Sequence, residues 1–289
     1  MHRLHPSKPP ARRFHRRTSA AGFALAALTA PAGAEEAAPI PEAAASASRY
    51  VIGAAVSSGP EYAGSARSVL KIRPLWAYQY GRLRLSTSGA GAVLGFAADA
   101  PGPGASAELL TTDRLRLGAA LRIDNGRRSS DSADLAGLPD IDRTLRGRLY
   151  ASYALTDRLG ISGNVSQDLL GKHGGALGSF DLSYRYPLGP RTELSAGFGI
   201  AVANTQYMQT YFGVTDAQAA GIGLPAFAPG AGLKDRHAGI GVTTALTPRW
   251  IAFATLGTST LLGDAASSPL TKKATATGGA VGLAYRCCQ

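Results

Sequence analysis

Charge is scarce in this sequence, cysteine is almost absent, and after the first residues no long apolar run appears. Only 17% of the 289 residues are charged, too few for a chain kept open by its own repulsion. The two cysteines, Cys287 and Cys288, are adjacent near the C-terminal end. They cannot staple distant segments, so no disulfide framework exists. Beyond residue 34 nothing approaches the roughly 20 apolar residues of a membrane-spanning helix. The G-x-S-x-G elbow of a serine hydrolase is missing, and Gly89-Ala90-Gly91 lacks the G-x-G-x-x-G spacing of a nucleotide site. No catalytic constellation survives these checks, so the chain reads as a non-enzyme with no cofactor.

Acid is absent from residues 1–34, which hold six basic side chains: Arg3, Lys8, Arg12, Arg13, Arg16 and Arg17. A small, apolar stretch follows from Ala20 to Ala30 and leads to Ala32-Gly33-Ala34. A basic start, a short apolar segment and an A-x-A site describe a secretory signal peptide over 1–34, cut before Glu35. Sec export is favoured over twin-arginine export despite the two arginine pairs. The remaining chain carries 24 positive against 19 negative residues rather than a formal net charge of +11. Nucleic acid is therefore not the expected partner. Residues 35–48, rich in Ala and Pro, read as a flexible periplasmic lead.

What is abundant is glycine, 36 residues, and an alternation of period two. From Arg114 to Asp124, Leu115, Leu117, Ala119, Leu121 and Ile123 alternate with Arg114, Arg116, Gly118, Ala120, Arg122 and Asp124. Such alternation places one apolar and one polar face on a strand. The same pattern predicts about twelve strands, near 49–57, 67–79, 82–97, 105–111, 114–125, 143–155, 158–169, 176–187, 191–203, 235–246, 249–261 and 274–286. Tight turns at Tyr80-Gly81, Thr112-Asp113, Thr156-Asp157, Leu188-Gly189-Pro190 and Thr247-Pro248 alternate with longer connections at 58–66, 98–104, 126–142, 170–175, 204–234 and 262–273. A transmembrane barrel shows that asymmetry. A soluble β-sandwich is also all-β, but it explains neither the up-and-down alternation nor the export signal. The expected architecture is one antiparallel up-and-down transmembrane β-barrel over 49–289, with both termini periplasmic and its outer face against outer-membrane lipid.

Alternation directs Lys71, Arg73, Arg82, Arg84, Arg114, Arg116, Arg122, Arg146 and Arg148 into the lumen. They form either a cationic wall preferring anionic solutes or a set of ion pairs with Glu108, Asp168, Asp181 and loop carboxylates. Outward-facing Trp76, Tyr78, Tyr184, Tyr186, Trp250 and Tyr285 suit aromatic girdles at the bilayer interfaces. The connection 204–234 concentrates Tyr207, Met208, Tyr211, Phe212, Leu224, Pro225 and Phe227, either as a recognition surface or as a plug folded over the external mouth. The carboxylates of 126–142 lack the spacing of a calcium loop, and His173 stands without ligand partners at metal spacing. No metal site is expected.

Several segments resemble the MipA/OmpV family of outer-membrane proteins. These are Pro60-Glu61-Tyr62-Ala63-Gly64-Ser65, Arg73-Pro74-Leu75, Tyr80-Gly81-Arg82 and Gly171-Lys172-His173-Gly174-Gly175. The most specific run is Tyr207-Met208-Gln209-Thr210-Tyr211-Phe212-Gly213-Val214-Thr215, continuing through Gly223-Leu224-Pro225 to Gly232-Leu233-Lys234-Asp235. Leu262-Gly263-Asp264-Ala265 and Ser268-Pro269 complete the set, which spans about Tyr50 to Arg286. Members usually end in Tyr-Arg-Phe, whereas here Tyr285-Arg286 leads into Cys287-Cys288-Gln289. The family's name refers to interaction with a murein-hydrolysing transglycosylase. The resemblance therefore implies a scaffold for peptidoglycan synthesis and hydrolysis enzymes. The residues themselves leave a small porin or gated pore with a basic lumen as the alternative.

Overall fold

The structure is a computed structural model that describes residues 49–87 and 102–287. The expected signal peptide, the lead, the second half of the expected third strand and the last two residues lie outside the described residues.

Twelve strands close into one barrel in which every strand pairs antiparallel with its chain neighbours and β1 pairs with β12. They are β1 (Arg49–Pro60), β2 (Ser68–Tyr80), β3 (Leu83–Ser86), β4 (Gly104–Thr111), β5 (Leu115–Asp124), β6 (Thr144–Ala154) and β7 (Leu159–Asp168). There follow β8 (Ala176–Pro187), β9 (Thr192–Ala203), β10 (Gly232–Ala245), β11 (Trp250–Leu261) and β12 (Thr275–Cys287). Closure pairs the first strand with the last, and a closed sheet can cross hydrocarbon. No helix among the described residues is long and apolar enough to cross a membrane.

Alternation decides which side chains face out. Ile52, Leu70, Ile72, Leu149, Val165, Ile240, Leu256 and Val281 are each at least 55% exposed. An apolar surface of that extent, running around the whole wall, is stable against acyl chains and not against water. The aromatic residues are not shared between two girdles. Trp76, Tyr78, Tyr184, Tyr186, Trp250 and Tyr285 all fall in the strand halves nearest the tight turns. There the Trp250 and Tyr285 rings meet edge to face at 5.4 Å and the Arg158 guanidinium lies 5.4 Å from the Tyr186 ring centre. At the ends next to the long connections stand the aliphatic Leu70, Leu169, Val202 and Leu233, while outward Phe180 and Phe198 lie nearer the middle of the wall.

Inside, the seam of β1, β2, β11 and β12 is apolar. Val51, Ala55, Leu75, Ala77, Ile251 and Ala284 form a buried cluster, joined by Phe253. The Phe253 ring occupies the place a Cβ would take on Gly282, 2.4 Å from its ring edge, so that glycine is required there.

The long connections are not loose. The expected loop 204–234 contains two helices, α1 (Thr205–Phe212) and α2 (Asp216–Ile222). Asn204 caps α1, its side chain accepting from Tyr207 N, and Thr215 with Gln218 forms a capping box on α2. Asn204 and the Thr215–Gln218 spacing are the sequence signals for these two helices. A third short helix, α3 (Gly263–Ser267), lies in the connection between β11 and β12.

Candidate functional site: a capped lumen

The β5–β6, β9–β10 and β11–β12 connections, with the β1–β2 connection, interlock into one cap. Tyr62, Leu135, Leu138, Val214 and Leu270 form a buried cluster drawn from four connections, with Leu224 and Phe227 packed on it. A second cluster holds Met208 and Phe212, each 1% exposed, against Ala203, Leu261 and Ala265. Hydrogen bonds lock the pieces together. Tyr62 Oη donates to Leu270 O at 2.9 Å, Ser268 Oγ to Phe212 O at 2.6 Å and Arg127 Nη1 to Tyr211 O at 2.8 Å.

Helix α1 lies across the barrel mouth. At one end Asn204 Oδ1 accepts from Ala176 N at 2.9 Å, and Thr210 Oγ1 donates to His173 O at 2.8 Å. His173 adopts a left-handed φ of 61°, so this residue shapes the turn on which α1 rests. A Cβ on the neighbouring Gly175 would meet Tyr207 N at 2.4 Å, so the helix sits directly on that glycine. On the far side Tyr211 Oη donates to Asp124 Oδ2 at 3.3 Å, and the Arg146 guanidinium lies 5.5 Å from the Tyr207 ring centre. Tyr207 and Tyr211 stack at 4.3 Å. Burial pushes both phenols well above the ordinary tyrosine value, and it pushes Tyr62 up to about 12. Burial also lowers the Arg127 guanidinium. Of the seven residues singled out in this connection, only Pro225 is exposed.

Below the cap, polar groups bridge successive strands. Arg146 Nε donates to Asp124 Oδ2 at 2.7 Å, and its terminal nitrogens donate to Gly175 O at 3.1 Å and to Gly174 O. Arg122 Nη1 donates to Ser86 Oγ and Gly102 O, both at 3.2 Å. Nearer the tight turns, Arg84 Nη2 donates to Glu108 Oε1.

Two of the carboxylates expected to hold arginines serve other partners. Asp168 accepts from Thr144 Oγ1, Leu170 N at 3.0 Å and Gly174 N at 2.9 Å. Asp181 accepts from Ser179 Oγ at 2.9 Å and pairs with His237 Nε2 at 2.8 Å. The other ring nitrogen of His237 meets Asp235 Oδ1 at 3.0 Å, and Asp235 also holds Lys234.

The His237 bridge was not read from the sequence. It joins β10 to β8 across β9, and it fits because Gly199 leaves the intervening position bare. A Cβ there would lie 2.4 Å from Asp181 Oδ1 and 2.5 Å from His237 Nε2. A His two residues after an Asp, with a glycine on the preceding strand, was the available signal. The pairing needs the register Asp181↔Gly199↔His237, which only the folded sheet supplies.

The remaining lumen encloses a cavity of about 810 Å³. It reaches the tight-turn mouth, where Asp113, Thr156, Asp157 and Arg158 line it, and among the described residues none of the cap borders it. Lys71, Arg73, Arg114, Arg116 and Arg185 stand in its wall. Of the nine basic residues expected in the lumen, Arg84, Arg122 and Arg146 are thus engaged by protein groups, and Arg148 lies half-buried on the inward face of β6. Arg82 sits exposed in the turn before β3, with Nη1 3.5 Å from Leu109 O.

Among solved structures, the chain is similar to the KdgM porin in complex with disordered oligogalacturonate, at 9% identity and a TM-score of 0.42, covering 81% of this chain and 98% of that one. It is also similar to the NanC porin, at 7% identity and a TM-score of 0.39, covering 83% and 99%. A third is OmpT of Vibrio cholerae, at 10% identity and a TM-score of 0.36, covering 86% and 100%. Likeness at this level carries no argument about solute or activity. No curated protein matches the chain. The profile of MipA, the MltA-interacting protein, matches residues 52–287, essentially the whole described barrel, and the chain belongs to the MipA family.

Proposed function

We propose that the protein is an outer-membrane barrel of a Gram-negative cell, exported by the signal peptide over 1–34, and that it works without catalysis as a scaffold. Its tight-turn end faces the periplasm and holds murein-synthesising and murein-hydrolysing enzymes near the cell wall. The observation that carries this reading is the cap. A barrel whose mouth is filled by α1 and by two buried apolar clusters is built as a closed body with usable surfaces, not as an open conduit. The family's name, which refers to interaction with MltA, supplies the class of partner. Crosslinking in intact cells followed by capture of the barrel tests it. Recovery of a murein transglycosylase or synthase above an unrelated barrel supports the scaffold, and recovery equal to that control removes it.

A gated pore with anion preference is the second reading, favoured by the basic wall of the cavity. In planar bilayers the intact protein then conducts in flickers with anion selectivity, and silence or cation preference counts against this reading. Deleting 209–230, which removes Tyr211, Phe212, Val214, Leu224 and Phe227 from the cap, raises its conductance. A deletion variant that inserts normally and conducts no better than the parent shows that the cap is not a gate.

A further inference from the structure

We propose that the lumen cavity is a dead-ended binding site for a compact polyanion, one bearing two or more carboxylate or phosphate groups, which enters from the tight-turn end. The proposal deepens the closed-barrel reading and rests on that closure.

Three observations carry it. The first is unspent charge. Among the described residues, Lys71, Arg73, Arg114, Arg116 and Arg185 have no carboxylate within ion-pair range. The two carboxylates at the mouth, Asp113 and Asp157, leave the wall with a cationic excess, and Asp181 is already committed to His237. Five cations on β2, on β5 with the turn before it, and on β8 face one cavity, and the repulsion among them favours a bound anion.

The second is shape. The facing wall presents glycine at Gly59, Gly197, Gly239, Gly257 and Gly278, so the lumen stays empty on that side while the cations reach across from the other. Space for a ligand is therefore built into the sequence of β9 to β1. About 810 Å³ lies within the ordinary range of small-molecule sites, roughly 300–1,000 Å³.

The third is polarity and closure. Ser152, Ser162 and Thr255 place hydroxyls on the wall, which can serve the remaining oxygens of a hydrophilic ligand. Because the cap closes the other mouth, an anion that enters is held and not passed on.

The test is isothermal titration calorimetry of the whole protein, folded in detergent micelles, with citrate, tripolyphosphate and the neutral sugar maltotriose as probes. Saturable binding of citrate or tripolyphosphate is expected, weakening as salt rises, with none for maltotriose. The pairs Lys71→Gln/Arg73→Gln and Arg114→Gln/Arg116→Gln are each expected to weaken binding at least tenfold. Lys272→Gln/Lys273→Gln, on the cap and outside the cavity, is expected to leave it unchanged. Heat-modified gel migration confirms that each variant is a folded barrel, and two separate cavity pairs keep the test open if one fails to fold. Absence of saturable anion binding, equal binding of maltotriose, or full binding by both cavity variants overturns the proposal. Closure is read separately by conductance: a barrel that binds and conducts loses the dead end but keeps the site, and one that does neither keeps the closure alone.

Discussion

Arg116 and Arg122 sit on the same strand and the same face, yet they live in different surroundings. Arg122 is 8% exposed and donates to Ser86 and Gly102. Arg116 is exposed to the lumen cavity without a carboxylate near it. The difference comes from what neighbouring strands present at each height. Opposite Arg122 lies Gly104, where a Cβ would press on the Arg122 side chain at 2.8 Å, so glycine makes room for a guanidinium laid flat along the wall. Opposite Arg116 stand Thr111 and Ser152, which offer hydroxyls and no charge. The lumen therefore has two regions, one in which basic groups hold the barrel and its cap together and one in which they face empty space.

Four experiments sharpen or break that comparison. Arg146→Ala carries the largest expected effect, because it strands Asp124 and the carbonyls of Gly174 and Gly175 beneath the cap. Removing one partner of a buried pair costs about 3–5 kcal/mol, to be read by urea titration of the barrel in lipid vesicles. A loss under about 1 kcal/mol breaks the distinction between the regions.

Gly199→Ala comes next. Its methyl group must displace the His237–Asp181 bridge, at a cost of about 1–3 kcal/mol for overpacking. Stability unchanged by this substitution means the bridge contributes nothing.

The cap should fail in alkali before the barrel does. Tyr62, Tyr207 and Tyr211 are held neutral by burial, so their folded-state values lie above the ordinary value of about 10. A group raised in this way contributes stability that is complete below pH ~10 and is lost as pH climbs, for Tyr62 through about 12. Limited proteolysis of 126–142 and 204–234 should accelerate above pH 10 while gel migration still reports a closed barrel. On the acid side, the Ser129 backbone N–H, followed by its hydroxyl, holds Asp140 below the usual carboxylate range. That contribution is present above the ordinary carboxylate value and fades as pH falls through the lower folded one.

The smallest effect belongs to the cavity. Arg114→Gln/Arg116→Gln should change stability by less than about 0.5 kcal/mol, since nothing in the protein depends on those charges. A large loss in urea titration shows instead that they are structural, and it removes the contrast with Arg146.

Most of the barrel was legible because its information is local. Alternation of period two fixes which side chains face lipid, and turn residues such as Thr156-Asp157 fix where each strand reverses, so strand number and order follow along the chain. The third and fourth strands were the weakest on these grounds, since Gly and Ala dilute their alternation; the structure describes Leu83–Ser86 of the third and forms the fourth over Gly104–Thr111. Helix α1 carried a local signal too, the Asn204 cap, but whether a segment of that composition coils or stacks depends on what it packs against. Here that is Leu261 and Ala265, about fifty residues away in the chain.

The sequence by itself determined direction: Arg73, Arg116, Arg122 and Arg146 point inward because a strand has two faces. Only the tertiary structure decided partners, because register and barrel closure set which strand stands opposite at each height. That is why Asp181 meets His237 across a bare Gly199 rather than an arginine.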